Sequence, residues 1–110
     1  MYKIKGNIWI EGDKGAFMGM GRVMLLEGIK KFGSITMAAK SMKMSYRQAW
    51  ELINSMNKQS KNPLVETISG GVGGGGTHIT KEGEKIIKLF KELNEKFYKF
   101  NEEESEKLKI

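Results

Sequence analysis

Apolar residues recur along this chain in two periods, and the switches between them divide it into elements. Residues 4 to 10 alternate, with Ile4, Ile8 and Ile10 on one side and Lys3, Lys5, Asn7, Trp9 and Glu11 on the other, the period of a strand. Gly12-Asp13-Lys14-Gly15 is dense in turn formers and Ala16-Phe17-Met18 is short and apolar, so a hairpin is expected over residues 4–18. A helical period follows. From about residue 21 to 32, Val23, Leu26 and Ile29, with Leu25 and Phe32 as further candidates, form the buried side of a first helix, and Gly33 is its stop.

Ser34 has N-cap character and opens a short second helix, residues 35–42, in which Ala38 and Ala39 leave room for a close neighbour. After the tight connection Lys43-Met44, Ser45 and Gln48 make a Ser-x-x-Gln capping box for a third helix, residues 45–60. Its apolar positions Ala49, Leu52, Ile53 and Met56 face inward, and Trp50, one place off that stripe, is expected to wedge against the first helix, with base or sugar contact as the alternative. Asn62-Pro63 ends the helix.

Residues 64–68 and 77–79 read as two strands joined by the glycine-rich run 69–76, a hairpin over 64–79. Thr80 then begins a long helix, about 81–104. Ile86, Phe90, Leu93, Phe97 and Phe100 are spaced four, three, four and three, a heptad seam that requires a partner, either the rest of the domain or the same helix of a second copy. Glu102 to Glu106 is polar and is expected to fray as solvated charge.

Two short helices joined by a tight turn, preceded by a packing helix and followed by a glycine-rich hairpin, are the layout of a winged helix-turn-helix of α+β class. Such a fold presents one helix to the major groove of duplex DNA, with its first turn nearest the base edges. That turn holds Ser45, Tyr46, Arg47 and Gln48, the candidate base-reading residues; Arg47 suits guanine and Gln48 adenine. Ser34, Thr36, Lys40, Lys43 and Lys58 are candidates for the phosphate backbone, which positions without reading sequence. Gly73, Gly74, Thr77 and His78 of the wing are placed along the same backbone, a plain flexible connection being the other reading of that loop.

Charge sharpens this picture. The net charge of the 110 residues is +6, and residues 1–80 hold all of it, with 11 Lys and Arg against 5 Asp and Glu. Residues 81–110 balance 8 Lys with 8 Glu. A basic body suits a polyanion and a neutral helix suits self-association, although 17 of the 19 bases are Lys and composition alone also produces such a bias.

Several chemistries are excluded. There is no Cys and one His, so disulfides, Cys-based zinc sites and Cys/His catalysis are absent, and no metal or cofactor is expected. The glycine run carries no Lys and leads to a strand, unlike a nucleotide-binding loop. No spacing suggests an enzyme. The first residues contain no long apolar run, so neither a signal peptide nor a membrane span is expected, and the compartment is taken as cytoplasmic.

A family resemblance adds to this reading. Gly33-Ser34-Ile35-Thr36-Met37-Ala38-Ala39, Met44-Ser45-Tyr46-Arg47-Gln48-Ala49-Trp50, Met56-Asn57, Pro63-Leu64-Val65-Glu66 and the glycine run through Gly76 resemble the N-terminal domain of ModE-type, molybdate-responsive regulators, a winged helix related to LysR-type regulators. The match covers about residues 19–93, and Ile8 to Gly15 is similar to the lead-in of short single-domain members. The resemblance implies a homodimer with the last helix as dimer contact and the third helix in the major groove. The C-terminal oxyanion-binding domains of full-length members do not begin before Ile110, so molybdate or tungstate is not expected as an effector of these residues. The expected function is therefore a homodimeric, sequence-specific regulator that binds double-stranded DNA. The alternative is a partner subunit that uses the C-terminal helix with weak or no DNA binding.

Overall fold

The structure is a computed structural model, and it describes residues 1–68 and 76–110. Its order is β1 (Trp9–Gly12), β2 (Gly15–Gly19), α1 (Met20–Phe32), α2 (Ile35–Ser41), α3 (Tyr46–Gln59), β3 (Val65–Ile68), β4 (Gly76–Ile79) and α4 (Lys81–Glu106). This is the α+β winged helix that the pattern predicts. The strands make two separate antiparallel pairs, β1 with β2 and β3 with β4.

Local chemistry sets most boundaries. Gly33 takes the left-handed conformation (φ 65°) that ends α1, and its N–H donates to Ile29 O. Ser34, Ser45 and Thr80 cap α2, α3 and α4 by accepting from the N–H groups of Met37, Gln48 and Gly83. Between α2 and α3 the chain turns within four residues, Lys43 at φ 54°, and Met44 N–H returns to Ala39 O at 2.9 Å. The angle between these helices is thus held by backbone.

The core gathers buried residues of β2, all four helices and the start of the wing, with α1 packed on both α2 and α4. Met18, Val23, Leu25, Leu26, Met56 and Phe90 are fully buried in it. Helices α1 and α2 approach closely: a Cβ on Gly28 would stand 3.1 Å from that of Ala38. Ion pairs Lys30–Glu84 (3.0 Å) and Lys91–Glu27 (2.6 Å) tie α1 to α4 at the surface.

Where the wing enters α4 the packing leaves no room for a further side chain. Thr80 N–H donates to Leu64 O and its hydroxyl to Pro63 O, while a Cβ on Gly83 would come within 2.4 Å of Leu64 O and 2.6 Å of Ile79 Cγ2. A backbone carbonyl cannot step aside. Gly83→Ala is therefore expected to destabilise the domain by about 1–3 kcal/mol, measured by urea unfolding, and to loosen the wing against α4.

Three expectations are corrected. Residues 4–8 are not strand: only Trp9 onward pairs with β2, and the pairing shifts between Ile10 and Glu11. The earlier residues form an extended arm along α4 instead, with Ile4 N–H donating to Ser105 Oγ at 2.7 Å and Gly6 against the Phe97 ring. Their alternation arises because an arm on a helix also has an inner and an outer side. A cleft of about 920 Å³, lined partly by Tyr2, Ile4, Tyr98 and Leu108, lies between arm and helix. The second correction is that Glu102 to Glu106 is helical; the arm bond to Ser105 and the Lys107–Glu104 pair hold this last turn.

The third concerns the seam. Phe90 is fully buried in the domain's own core, so it is not open to a second copy. The buried stripe of α4 runs through Gly83, Ile87, Phe90, Asn94 and Asn101, again at four and three, but rotated from the predicted one. A helix with apolar residues at both registers has two usable faces, and α1, with the arm, takes one. Ile86, Leu93 and Phe97 are left half-buried, and Leu89 and Phe100 are 44% and 55% exposed.

Candidate nucleic-acid interface

The third helix of the layout, α3, owes its orientation to three buried residues, Ala49, Ile53 and Met56, spaced four and three. The opposite positions must then face water. Arg47, Trp50, Glu51, Asn54 and Lys58 occupy that strip, and the Arg47 side chain is 88% exposed. Arg47 Nε donates to Glu51 Oε1 at 3.1 Å one turn on, which aligns the guanidinium along the helix surface.

Of the candidate reading residues, Tyr46, Arg47 and Gln48 stand on the exposed first turn of α3, while the Ser45 hydroxyl is engaged in the cap. Ser34 is likewise occupied by capping α2. Thr36, Lys40, Lys43 and Lys58 are all exposed; Thr36 and Lys40 share one side of α2 at four-residue spacing, and Lys43 sits in the turn before α3. The exposed strip of α3 holds one acid, Glu51, so the surroundings of its first turn are mainly basic.

The wing stands beside this turn. Gly33, Ser34, Thr36, Tyr46, Thr67 and Thr77 line a common recess of about 270 Å³, which places the N-terminal ends of α2 and α3 next to β3 and β4. Thr77 is buried, its N–H donating to Gly33 O at 3.1 Å, so it joins the wing to the helices rather than lying on the wing's outside. His78 is exposed and lies 3.4 Å from Glu66 on the adjoining strand. Gly73 and Gly74 lie outside the described residues.

One residue that holds the interface together was not among the sequence candidates. The Asn57 side chain accepts from Leu64 N–H (2.8 Å) and Val65 N–H (3.2 Å) and donates to Val65 O (3.0 Å), so it clamps α3 to the first wing strand. Its only signal was its place beside Met56 in the resemblance, because periodicity cannot show what a polar side chain bonds. Asn57→Ala leaves three backbone groups without that partner and is expected to cost about 1–3 kcal/mol in unfolding free energy. Chemical-shift changes should centre on Leu64 and Val65. Trp50 is the other surprise, since it is 48% exposed and does not fill the space between α3 and α1.

Among the described residues no group of three or more His, Cys, Asp or Glu side chains could hold a metal ion, and no helix is long and apolar enough to cross a membrane.

Comparison with known proteins gives this surface a family. No family model matches the chain. Among curated proteins it is 36% identical, over 90% of its length and 37% of the relative's, to the molybdenum transport protein ModE of Azotobacter vinelandii. It is 45% identical to the DNA-binding transcriptional dual regulator ModE of Escherichia coli, over 63% of this chain and 26% of that protein. The molybdenum-pterin-binding protein MopB of Rhodobacter capsulatus is 42% identical over 69% of this chain and 28% of its own length. The chain thus spans between about a quarter and somewhat over a third of these relatives. In fold and in sequence, its residues form the N-terminal, ModE-like domain of this family of regulators.

Proposed function

We propose that this chain is a transcriptional regulator that binds duplex DNA sequence-specifically as a homodimer, with α3 in the major groove and the wing along the sugar-phosphate backbone. The observation that carries the reading is the first turn of α3. Tyr46, Arg47 and Gln48 project from a helix end that is fixed by its cap, its buried stripe and the Asn57 clamp, with Lys40, Lys43 and Lys58 exposed on the same unit. A rigid, exposed helix end flanked by cations suits base edges in the centre and phosphates around them. The name of the Escherichia coli relative, a DNA-binding regulator, agrees with it.

Homodimer formation is assigned to the free face of α4. Leu89, Leu93 and Phe100 line it at spacings of four and seven, with the half-buried Ile86 and Phe97 at its border, and 8 Lys balance 8 Glu in residues 81–110, so two such helices meet without net repulsion. No oxyanion effector is part of the proposal.

Selection of bound fragments from random duplex DNA tests it. A two-fold symmetric site with half-sites a helical turn or more apart is the expected result. A chain that sediments as a stable monomer and selects no sequence would remove the reading. Lys43→Ala should weaken all sequences alike and flatten the dependence of log affinity on log salt by about one unit, measured by titration at several salt concentrations.

A further inference from the structure

We infer that Trp50 is a specificity residue of the DNA site, its indole reading the 5-methyl group of a thymine in the major groove. This rests on the DNA-binding reading above and goes beyond the first turn of α3.

The placement follows from helical geometry. Tyr46, Trp50 and Asn57 are separated by four and seven residues, so they lie along one flank of α3. Both outer members of that row address the wing: Tyr46 shares a recess with Thr67 and Thr77, and Asn57 bonds the backbone of Leu64 and Val65. Trp50 stands between them, 48% exposed, on the side of the helix that faces the wing and one turn beyond the reading residues. One turn is about 5.4 Å along the axis, a distance still covered by the groove that holds the first turn.

A half-exposed indole presents an apolar surface that a matching apolar group can cover. Duplex bases are stacked, so they offer edges and not faces to a side chain. On the major-groove edges the thymine methyl is the apolar group. An indole on the wing-facing flank of a helix lying in that groove therefore meets a thymine methyl with matching chemistry. Arg47 and Gln48, as hydrogen-bonding groups, read the neighbouring edges.

Uracil scanning tests this. After the preferred duplex has been selected, each thymine is replaced in turn by deoxyuridine, which removes only the methyl group. One thymine per half-site should weaken wild-type binding by about three- to tenfold on this change. Trp50→Ala should show that loss already on the thymine duplex and no further loss at that position with uracil. Trp50→Phe, which keeps a ring in place, should retain part of the methyl dependence. If Trp50→Ala binds like wild type, or still loses as much as wild type at every uracil, the indole does not read a methyl. A wild type that selects a sequence but ignores every uracil overturns the Trp50 assignment alone, whereas a wild type that selects no sequence overturns the DNA-binding reading with it.

Discussion

Phe90→Ala is expected to destabilise the domain by about 3–5 kcal/mol, read as a lower urea midpoint with an unchanged slope. Phe90 is fully buried, in a core cluster that also holds Val23, Leu26 and Ile29 of α1 and Met56 of α3. Removing its ring leaves a cavity that close-packed helices cannot collapse to fill. The contrast is Phe100→Ala on the same helix. Phe100 is 55% exposed, so its loss should leave unfolding nearly unchanged and weaken self-association. If instead Phe90→Ala kept wild-type stability and only shifted the molecule toward monomer, the face of α4 that packs on α1 would be misassigned.

Arg47→Ala should reduce affinity for the selected duplex by about 1–3 kcal/mol and relax preference at one base pair of each half-site. A guanidinium that donates twice to one guanine discriminates, whereas a lysine on a phosphate does not, so the profile of Arg47→Ala across base-substituted duplexes should be uneven and that of Lys43→Ala flat. The fold will not confuse the result. Arg47 is 88% exposed and its bond to Glu51 is a surface i, i+4 pair, worth at most a few tenths of a kcal/mol. Titrations that gave Arg47→Ala the wild-type affinity and preference would move the reading surface off the first turn of α3.

These two residues mark the limits of what the sequence alone could say. The first turn of α3 was legible because its signals are local: Ser45 three residues before Gln48, an inward stripe at 49, 52, 53 and 56, of which 49, 53 and 56 are buried, and Gly33 and Pro63 as stops. The helix of Arg47 follows from these with no knowledge of the rest of the chain. Phe90 was placed on the correct helix and assigned to the wrong neighbour. In α4 both 86-90-93-97-100 and 83-87-90-94-101 follow the spacing of a heptad, and the second is the buried one although it contains Asn94 and Asn101. Apolar character favours the first, so only the positions of α1 and the arm decide between them.

Trp50, Asn57 and the arm tell the same story from other sides. A tryptophan beside an apolar stripe looks like core until Ala49, Ile53 and Met56 are seen to be the buried positions of α3, with Trp50 left 48% exposed. An asparagine looks like a solvated residue until Leu64 and Val65 are brought to it.

The sequence by itself determined the order of elements, their caps and stops, the residues on the first turn of α3, and the concentration of positive charge before residue 81. All of these depend on interactions within a few residues of the chain, or on composition. The tertiary structure alone decided which face of α4 is used up, where the arm lies, and that Trp50 stands open beside the wing. Those outcomes turn on which surfaces distant parts of the chain come to cover, and a linear pattern does not contain the partner.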